Sequence, residues 1–204
     1  MAPNTRTPHI EVDATEIADP SIIDVEPALV DVAPMSYLSI ERDDLPPGAG
    51  LRGAIEALQV LGDTLPSRPP HAAVRIEVLR WLPHVNVWDV TDTTTWQWRV
   101  MIARDGVSDD STVTSIIETV RRRRAMSELD AVRMTSLHEG RSVQALHRGG
   151  PATMRRTLTR LHVFALERGL APAGPQHDIS LTDPLRTPAR AMRTVLRRPV
   201  LPAG

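Results

Sequence analysis

The stretch from Val143 to Val200 reads VQALHRGGPATMRRTLTRLHVFALERGLAPAGPQHDISLTDPLRTPARAMRTVLRRPV, and its punctuation decides the fold class. Val143 to His147 has the length and composition of a strand. Met154, Leu158, Leu161 and Ala165 then recur at three- and four-residue spacing, which places them on one face of a helix, and Gly169 stands where a helix C′ glycine belongs. His177 to Thr182 and Met192 to Val200 read as two further strands. The unit is therefore strand, helix, strand, strand.

The first half follows the same order. Leu29 to Ile40 has short alternating apolar stretches that end in Tyr37, Leu38 and Ile40, as a half-buried strand does. Asp43, Asp44, Pro46, Pro47, Gly48 and Gly50 form a loop by composition. Leu51, Ala54, Ile55, Leu58, Leu61 and Leu65 mark a helix that Pro66 stops. After Pro69 and Pro70, Val74 to Leu82 and Trp96 to Ala103 read as strands. The repetition is one of pattern, not of identity, and predicts an α+β fold built as a tandem strand-helix-strand-strand (SHS2-type) repeat with pseudo-twofold symmetry. Between the units, Asp109, Asp110 and Ser111 can cap a helix whose apolar stripe is Val113, Ile116, Ile117 and Val120. Arg121 to Arg124 close it. Ala131 to Leu137 and Ser142 to His147 read as a hairpin with Gly140 in its turn.

The 204 residues are enough for one core-forming domain. Residues 28–200 are expected to form it, preceded by an acidic disordered arm (1–27) and followed by a short tail (201–204). The chain contains no Cys, which excludes disulfide scaffolds, thiolate metal sites and cysteine nucleophiles. All 24 basic residues are Arg, which also excludes a Schiff-base lysine and a Walker-type phosphate loop. No apolar run approaches the ~20 residues of a membrane span and no signal peptide is legible, so a soluble, cytoplasmic protein is expected.

The net charge of −1 divides into −8 over residues 1–100 and +7 over 101–204. A basic half and a run of four arginines admit a nucleic-acid reading. Cations at a helix C-terminus complement the helix dipole without any partner, and no helix-turn-helix or zinc-finger spacing supports DNA binding. The seven His show no metal-ligand spacing, so neither metal nor cofactor is expected.

Chemistry is sought on the strand after each helix, because a pseudo-twofold axis makes those strands equivalent. In Arg75-Ile76-Glu77-Val78-Leu79-Arg80-Trp81, a side-chain period of two puts Ile76 and Val78 on one face and Glu77, Leu79 and Trp81 on the other. In Gln176-His177-Asp178-Ile179-Ser180-Leu181 the corresponding carboxylate is Asp178. Glu77 and Asp178 are thus expected to meet across a groove, as general acid and base or as a site for a cationic or electron-poor ligand. Trp81, Trp88, Trp96 and Trp98, all the tryptophans in the chain, fall within eighteen residues. Either a core face or an aromatic ligand wall accounts for that clustering.

These residues resemble the GyrI-like small-molecule-binding domain. The resemblance covers roughly residues 28–200 and rests on His138-Glu139-Gly140 with Val143-Gln144 and His147-Arg148-Gly149, on Arg160-Leu161-His162 through Gly169-Leu170, and on His177-Asp178-Ile179-Ser180-Leu181-Thr182-Asp183-Pro184-Leu185. Glu77-Val78-Leu79-Arg80-Trp81, Trp96-Gln97-Trp98-Arg99-Val100 and Val32-Ala33-Pro34-Met35 extend it upstream. It implies a ligand cleft between the two repeats that takes hydrophobic, aromatic compounds. In some stand-alone relatives, a cleft Glu hydrolyses the strained cyclopropane of DNA-alkylating natural products. Asp178 and Ser180 stand where the family usually has Glu and Tyr, and Pro151 and Met154 where it commonly has Tyr and Glu, which implies a wider, less polar cleft. The resemblance thus implies a binder of a bulky aromatic drug or natural product, for sequestration or self-resistance, or else a cyclopropane-opening hydrolase. Glu77 and Asp178 would be its reactive carboxylates. Tyr37, Leu79, Trp81, Trp88, Trp96, Trp98, Met101, Met154 and Ser180 would contact the ligand. The expected partner is a small molecule, without membrane or nucleic acid, and the protein a monomer or homodimer.

Overall fold

In a computed structural model, the described residues are 26–42, 49–65, 74–81, 97–103 and 110–204. The strands are β1 (Ala28–Val32), β2 (Met35–Arg42), β3 (Glu77–Trp81), β4 (Gln97–Ala103), β5 (Arg133–Leu137), β6 (Gly140–Arg148), β7 (Leu170–Pro172), β8 (Gln176–Ser180) and β9 (Arg193–Pro202). The helices are α1 (Ala49–Thr64), α2 (Asp110–Arg123) and α3 (Met154–Leu166). The expected acidic arm before Glu26 and the loops at Asp43–Gly48 and Pro66–Pro70 lie outside the described residues.

Each helix forms where its apolar spacing leads. On α1, Ala54, Ile55, Leu58 and Leu61 are buried at three- and four-residue intervals. Val113 and Val120, two turns apart, are buried on α2, and Met154, Leu161 and Ala165, at seven- and four-residue steps, on α3. Gly169 has φ +64 beyond α3 and its N–H donates to the Leu166 carbonyl at 3.0 Å, which stops the helix as expected. Arg121, in the last turn of α2, pairs with Asp130 at 2.5 Å, so part of the arginine run is engaged within the fold.

The strands form a curled antiparallel sheet in the order β1-β6-β9-β8-β3-β4-β2-β5, with β7 also pairing with β9. Cross-strand partners share a face, which fixes its two sides. Val100, Val78, Asp178, Leu196 and Ala145 follow one another from strand to strand on the side that α1, α2 and α3 cover. Met101, Glu77, Ile179, Val195 and Leu146 form the matching row on the other, concave side.

The hairpin expected at Gly140 does not form. β5 pairs with β2 and β6 pairs with β1, and the register is common to both pairings, with Met35 opposite Leu137 and Val32 opposite Gly140. Residues 28–39 and 133–144 are thus one long ribbon, kinked at residues 33–34 and 138–139. Its two halves join opposite ends of the sheet, and Gly140, with φ +58, bends the chain without reversing it. Alternation is the same in a hairpin and in a kinked strand, so the pattern could not tell them apart.

The helix-side core around Leu38, Ile40, Leu58, Leu61, Ile76 and Trp98 is closed to solvent. Leu61→Ala should cost about 2–5 kcal/mol there, which urea unfolding would show as a lowered midpoint at unchanged slope.

Candidate functional site

β3 places Glu77, Leu79 and Trp81 on the concave side, as its alternation predicts. β8 places His177 there, opposite Leu79, and β9 places Arg197 opposite His177. β6 adds Gln144, opposite Arg197. The ribbon kink brings Glu139 over the same face. These side chains are buried, His177 completely and Glu77 and Arg197 almost so.

Their contacts form one network. His177 Nδ1 donates to Glu139 Oε2 at 3.0 Å, and His177 Nε2 lies 3.0 Å from Glu77 Oε2, an ion-pair distance off the line of a good hydrogen bond. Arg197 donates from Nη1 to Glu139 Oε2 at 2.9 Å and from Nε to Gln144 Oε1 at 3.0 Å. Arg75, on the approach to β3, donates from Nε to Glu77 Oε1 at 2.8 Å. Glu139 Oε1 has no hydrogen-bond partner among the described residues. It leaves buried acceptor capacity for a ligand donor or water to fill.

Burial alone would neutralise these groups. It raises the Glu77 carboxyl, but contact with His177, the charge of His177 and that of Arg75 outweigh it and bring Glu77 down to about 2. Burial likewise works against the His177 cation, and the contacts and charges of Glu139 and Glu77 overcome it, with His177 pushed up to about 9. Glu139 is held below the ordinary carboxylate value by His177 and Arg197 against the same penalty. At neutral pH the network is therefore two carboxylates held by an imidazolium and two guanidiniums, those of Arg197 and Arg75. Tyr37 is buried on the same side. Burial first, then the charges of Glu77 and Glu139, raise its phenol far above the ordinary value, so it stays protonated and can donate.

An apolar wall adjoins the network. Tyr37, Leu79 and Met101 pack together, with half-buried Met35, Trp81, Ala103 and Leu137 around them. Trp81 donates from Nε1 to Gln97 Oε1 at 2.7 Å, and the Arg99 guanidinium lies 5.8 Å from its ring centre. Arg99 is anchored in turn by Glu41, 2.8 Å from its Nε. Trp81 is thereby a fixed aromatic surface with one cationic edge.

The residues singled out from sequence divide by sheet face. Glu77, Tyr37, Leu79, Trp81 and Met101 come together on the concave side. Asp178, Trp98, Met154 and Ser180 do not. Asp178 pairs across the ladder with Val78 while Glu77 pairs with Ile179, so the two carboxylates project from opposite faces. Asp178 is ion-paired with Arg80 and accepts from Gln176 Nε2 at 3.2 Å, and Arg80 also reaches Met154 Sδ at 3.9 Å. Trp98 is 3 % exposed in the helix-side core, so for this residue the core reading of the tryptophan cluster holds. Ser180 sits on the helix-side row, opposite Thr194. Trp88 and Trp96 lie outside the described residues. His177, Glu139, Arg197 and Gln144 were not marked as a site by the sequence reading. Their signal is charge at inward positions of strands whose neighbours are apolar, but the register that joins them spans 38 to 58 residues.

No protein-family model and no curated protein matches the sequence. Its fold is shared with solved structures. An uncharacterized conserved protein from Listeria innocua superposes with a TM-score of 0.76 at 20% identity, covering 94% of this chain and 100% of its own. A hydrolase from Listeria innocua gives 0.73 at 20% identity with the same coverage. The C-terminal domain of EcmrR gives 0.55 at 9% identity, covering 87% of this chain and 98% of its own. No described helix is long and apolar enough to cross a membrane, and no cluster of metal-ligating side chains occurs among the described residues.

Glu77 titrates at about 2 in the fold against an ordinary 4.5, so its stabilising effect is held above pH 4.5 and lost as pH falls toward 2. His177 titrates at about 9 against 6.5, so its effect is held below 6.5 and lost as pH rises through 9. Urea unfolding across pH should therefore show stability falling between pH 6.5 and 9. His177→Gln should be destabilised by about 3–5 kcal/mol, because two buried carboxylates lose their cation, and should lose that alkaline decline. A variant that keeps the same decline contradicts the assignment.

Proposed function

We propose that the concave face binds a hydrophobic, aromatic small molecule, as the resemblance to GyrI-like domains implies. The observation that carries this reading is the buried ionic floor of Glu77, His177, Glu139 and Arg197 set beside the Tyr37, Leu79, Met101 and Trp81 wall. Well-packed apolar residues would serve stability there as well or better. A fixed array of charges and dipoles next to an apolar wall is what orients a mostly apolar ligand. The strand order supports the tandem-repeat reading that goes with it. Outward from the central β3/β8 pair, each half runs second strand, third strand, first strand, as β3-β4-β2 and β8-β9-β6. Sequestration of a toxic natural product, as in self-resistance, is the biological role that fits a binder of this kind.

A hydrolase is the second reading, and two observations favour it. An ionised Glu77 and a protonated Tyr37 share the face, and solved structures of the same fold are described as hydrolases. In that chemistry Tyr37 would hydrogen-bond the carbonyl conjugated to a cyclopropane while Glu77 took a proton from attacking water. The ring C–C bond would break toward the carbonyl, and the resulting enolate would be reprotonated. A carboxylate held at about 2 is a weak base at neutral pH, which is why binding ranks first.

Titration of tryptophan fluorescence with a cyclopropane-fused pyrroloindole alkylator tests both. Saturation at one equivalent with the ligand recovered intact, and at least about tenfold weaker binding in Trp81→Ala, is the expected result. Turnover beyond one equivalent that is lost in Tyr37→Phe would replace it with the hydrolase. Equal affinity in wild type, Trp81→Ala and Leu79→Ala would remove the concave face as the site.

A further inference from the structure

A second site lies at one corner of the fold, where β6 outlasts its neighbour, and it does not rest on the concave-face reading. β1 reaches only as far as Gln144, which Ala28 opposes, while β6 continues to Arg148. The end of β6, the start of α3 and the short turn at Ala189–Ala191 border a groove of about 960 Å³. Buried His147 fixes its shape. The ring bonds Thr157 Oγ1 through Nδ1 at 2.9 Å and Thr153 Oγ1 through Nε2 at 3.1 Å, and Thr153 donates onward to the Gly150 carbonyl at 2.8 Å. Because that hydroxyl proton is used, Nε2 is the donor to Thr153. The end of β6 and the start of α3 are thereby held together. Gly150 lets the turn close in, since a Cβ there would lie 2.9 Å from Ala189 Cβ.

Five arginines line the groove, Arg148, Arg155, Arg156, Arg160 and Arg190, and no Asp or Glu does among the described residues. Arg160 is paired with Glu26 at 2.7 Å, and Arg155 is engaged as well. Arg148, Arg156 and Arg190 are exposed and have no acidic partner among the described residues. Arg193 stands directly opposite Arg148 on β9, and like charges facing each other across a ladder weaken it. α3 starts here with no acid in its first turn, so its dipole adds to the positive potential. A concave surface lined by one sign of charge concentrates ions of the other sign.

We propose that this groove binds a compact molecule bearing two or more phosphate groups. The charge count selects it. A phosphate monoester carries about −1.5 to −2 at neutral pH, so two phosphates balance Arg148, Arg156, Arg190 and the adjoining Arg193, whereas one phosphate or carboxylate leaves cations uncompensated. The planar guanidinium fork engages phosphate oxygens two at a time. The groove arginines come from β6, α3 and the turn, so they surround one volume rather than follow a track. No Trp, Tyr or Phe lines the groove to stack a base. Both features favour a compact polyphosphate over a nucleic-acid strand.

Calorimetric titration of the full-length protein with inorganic pyrophosphate at low salt tests this. One pyrophosphate per chain is expected, with binding at least about tenfold weaker in the double variant Arg156→Gln, Arg190→Gln. Ala152→Glu, which keeps every arginine and adds an acid to the groove wall, should weaken it as much. A control, Arg123→Gln with Arg124→Gln, removes two exposed arginines at the end of α2 and should bind as wild type does. Pyrophosphate should also raise the urea midpoint of wild type and leave that of the groove double variant unchanged. Absence of saturable binding in wild type, or an equal loss in the control, overturns the proposal. So does a single-stranded oligothymidylate that binds more than about tenfold tighter than pyrophosphate and depends on the same arginines, which would make the groove a nucleic-acid surface.

Discussion

Four charges buried on one face of the sheet constrain the rest of the molecule. Glu77, His177, Glu139 and Arg197 come from β3, β8, the ribbon kink and β9 and partner one another, with Arg75 also serving Glu77 and Gln144 also serving Arg197. An isolated charge at such burial would cost several kcal/mol, so the four elements can only come together in the arrangement that balances all four groups. The two strands at the centre of the sheet are joined through Glu77 and His177 as well as by their ladder. The kink of the ribbon is held over the sheet by Glu139.

The ribbon explains why a sheet of short strands curls. Residues 28–39 and 133–144 pair in a single register, yet their halves are the first two and last two positions of the strand order. A continuous ribbon can serve both ends only if the sheet bends round toward itself. The bend leaves one side for the helices and turns the other into the concave face, where Tyr37, Leu79, Met101 and Trp81 gather. Sheet geometry thus sets which residues meet, and the buried charges hold that geometry.

Much of this was legible in the chain. The apolar spacing of α1 and α3, the glycine stop at Gly169 and the strand alternation that separates Ile76 and Val78 from Glu77, Leu79 and Trp81 all follow from local periodicity, and the structure has them. Register was not legible. Matching Glu77 to Asp178 by position in their strands was off by one residue, and a shift of one reverses the face. The same limit hid the His177 network, whose members are close only because of pairing across many intervening residues. Trp98 shows the complementary difficulty. An aromatic strand position reads alike as core or ligand wall, and only the side on which the helices pack decides between them.

The concave-face site depends on His177 being a buried cation between two carboxylates. Nitrogen-15 NMR of the histidine side chains reads this directly. Both ring nitrogens of His177 should be protonated at pH 7, with loss of a proton only near pH 9. A neutral tautomer at pH 7, or a titration near the ordinary 6.5, would contradict the ionic network and the concave-face site built on it.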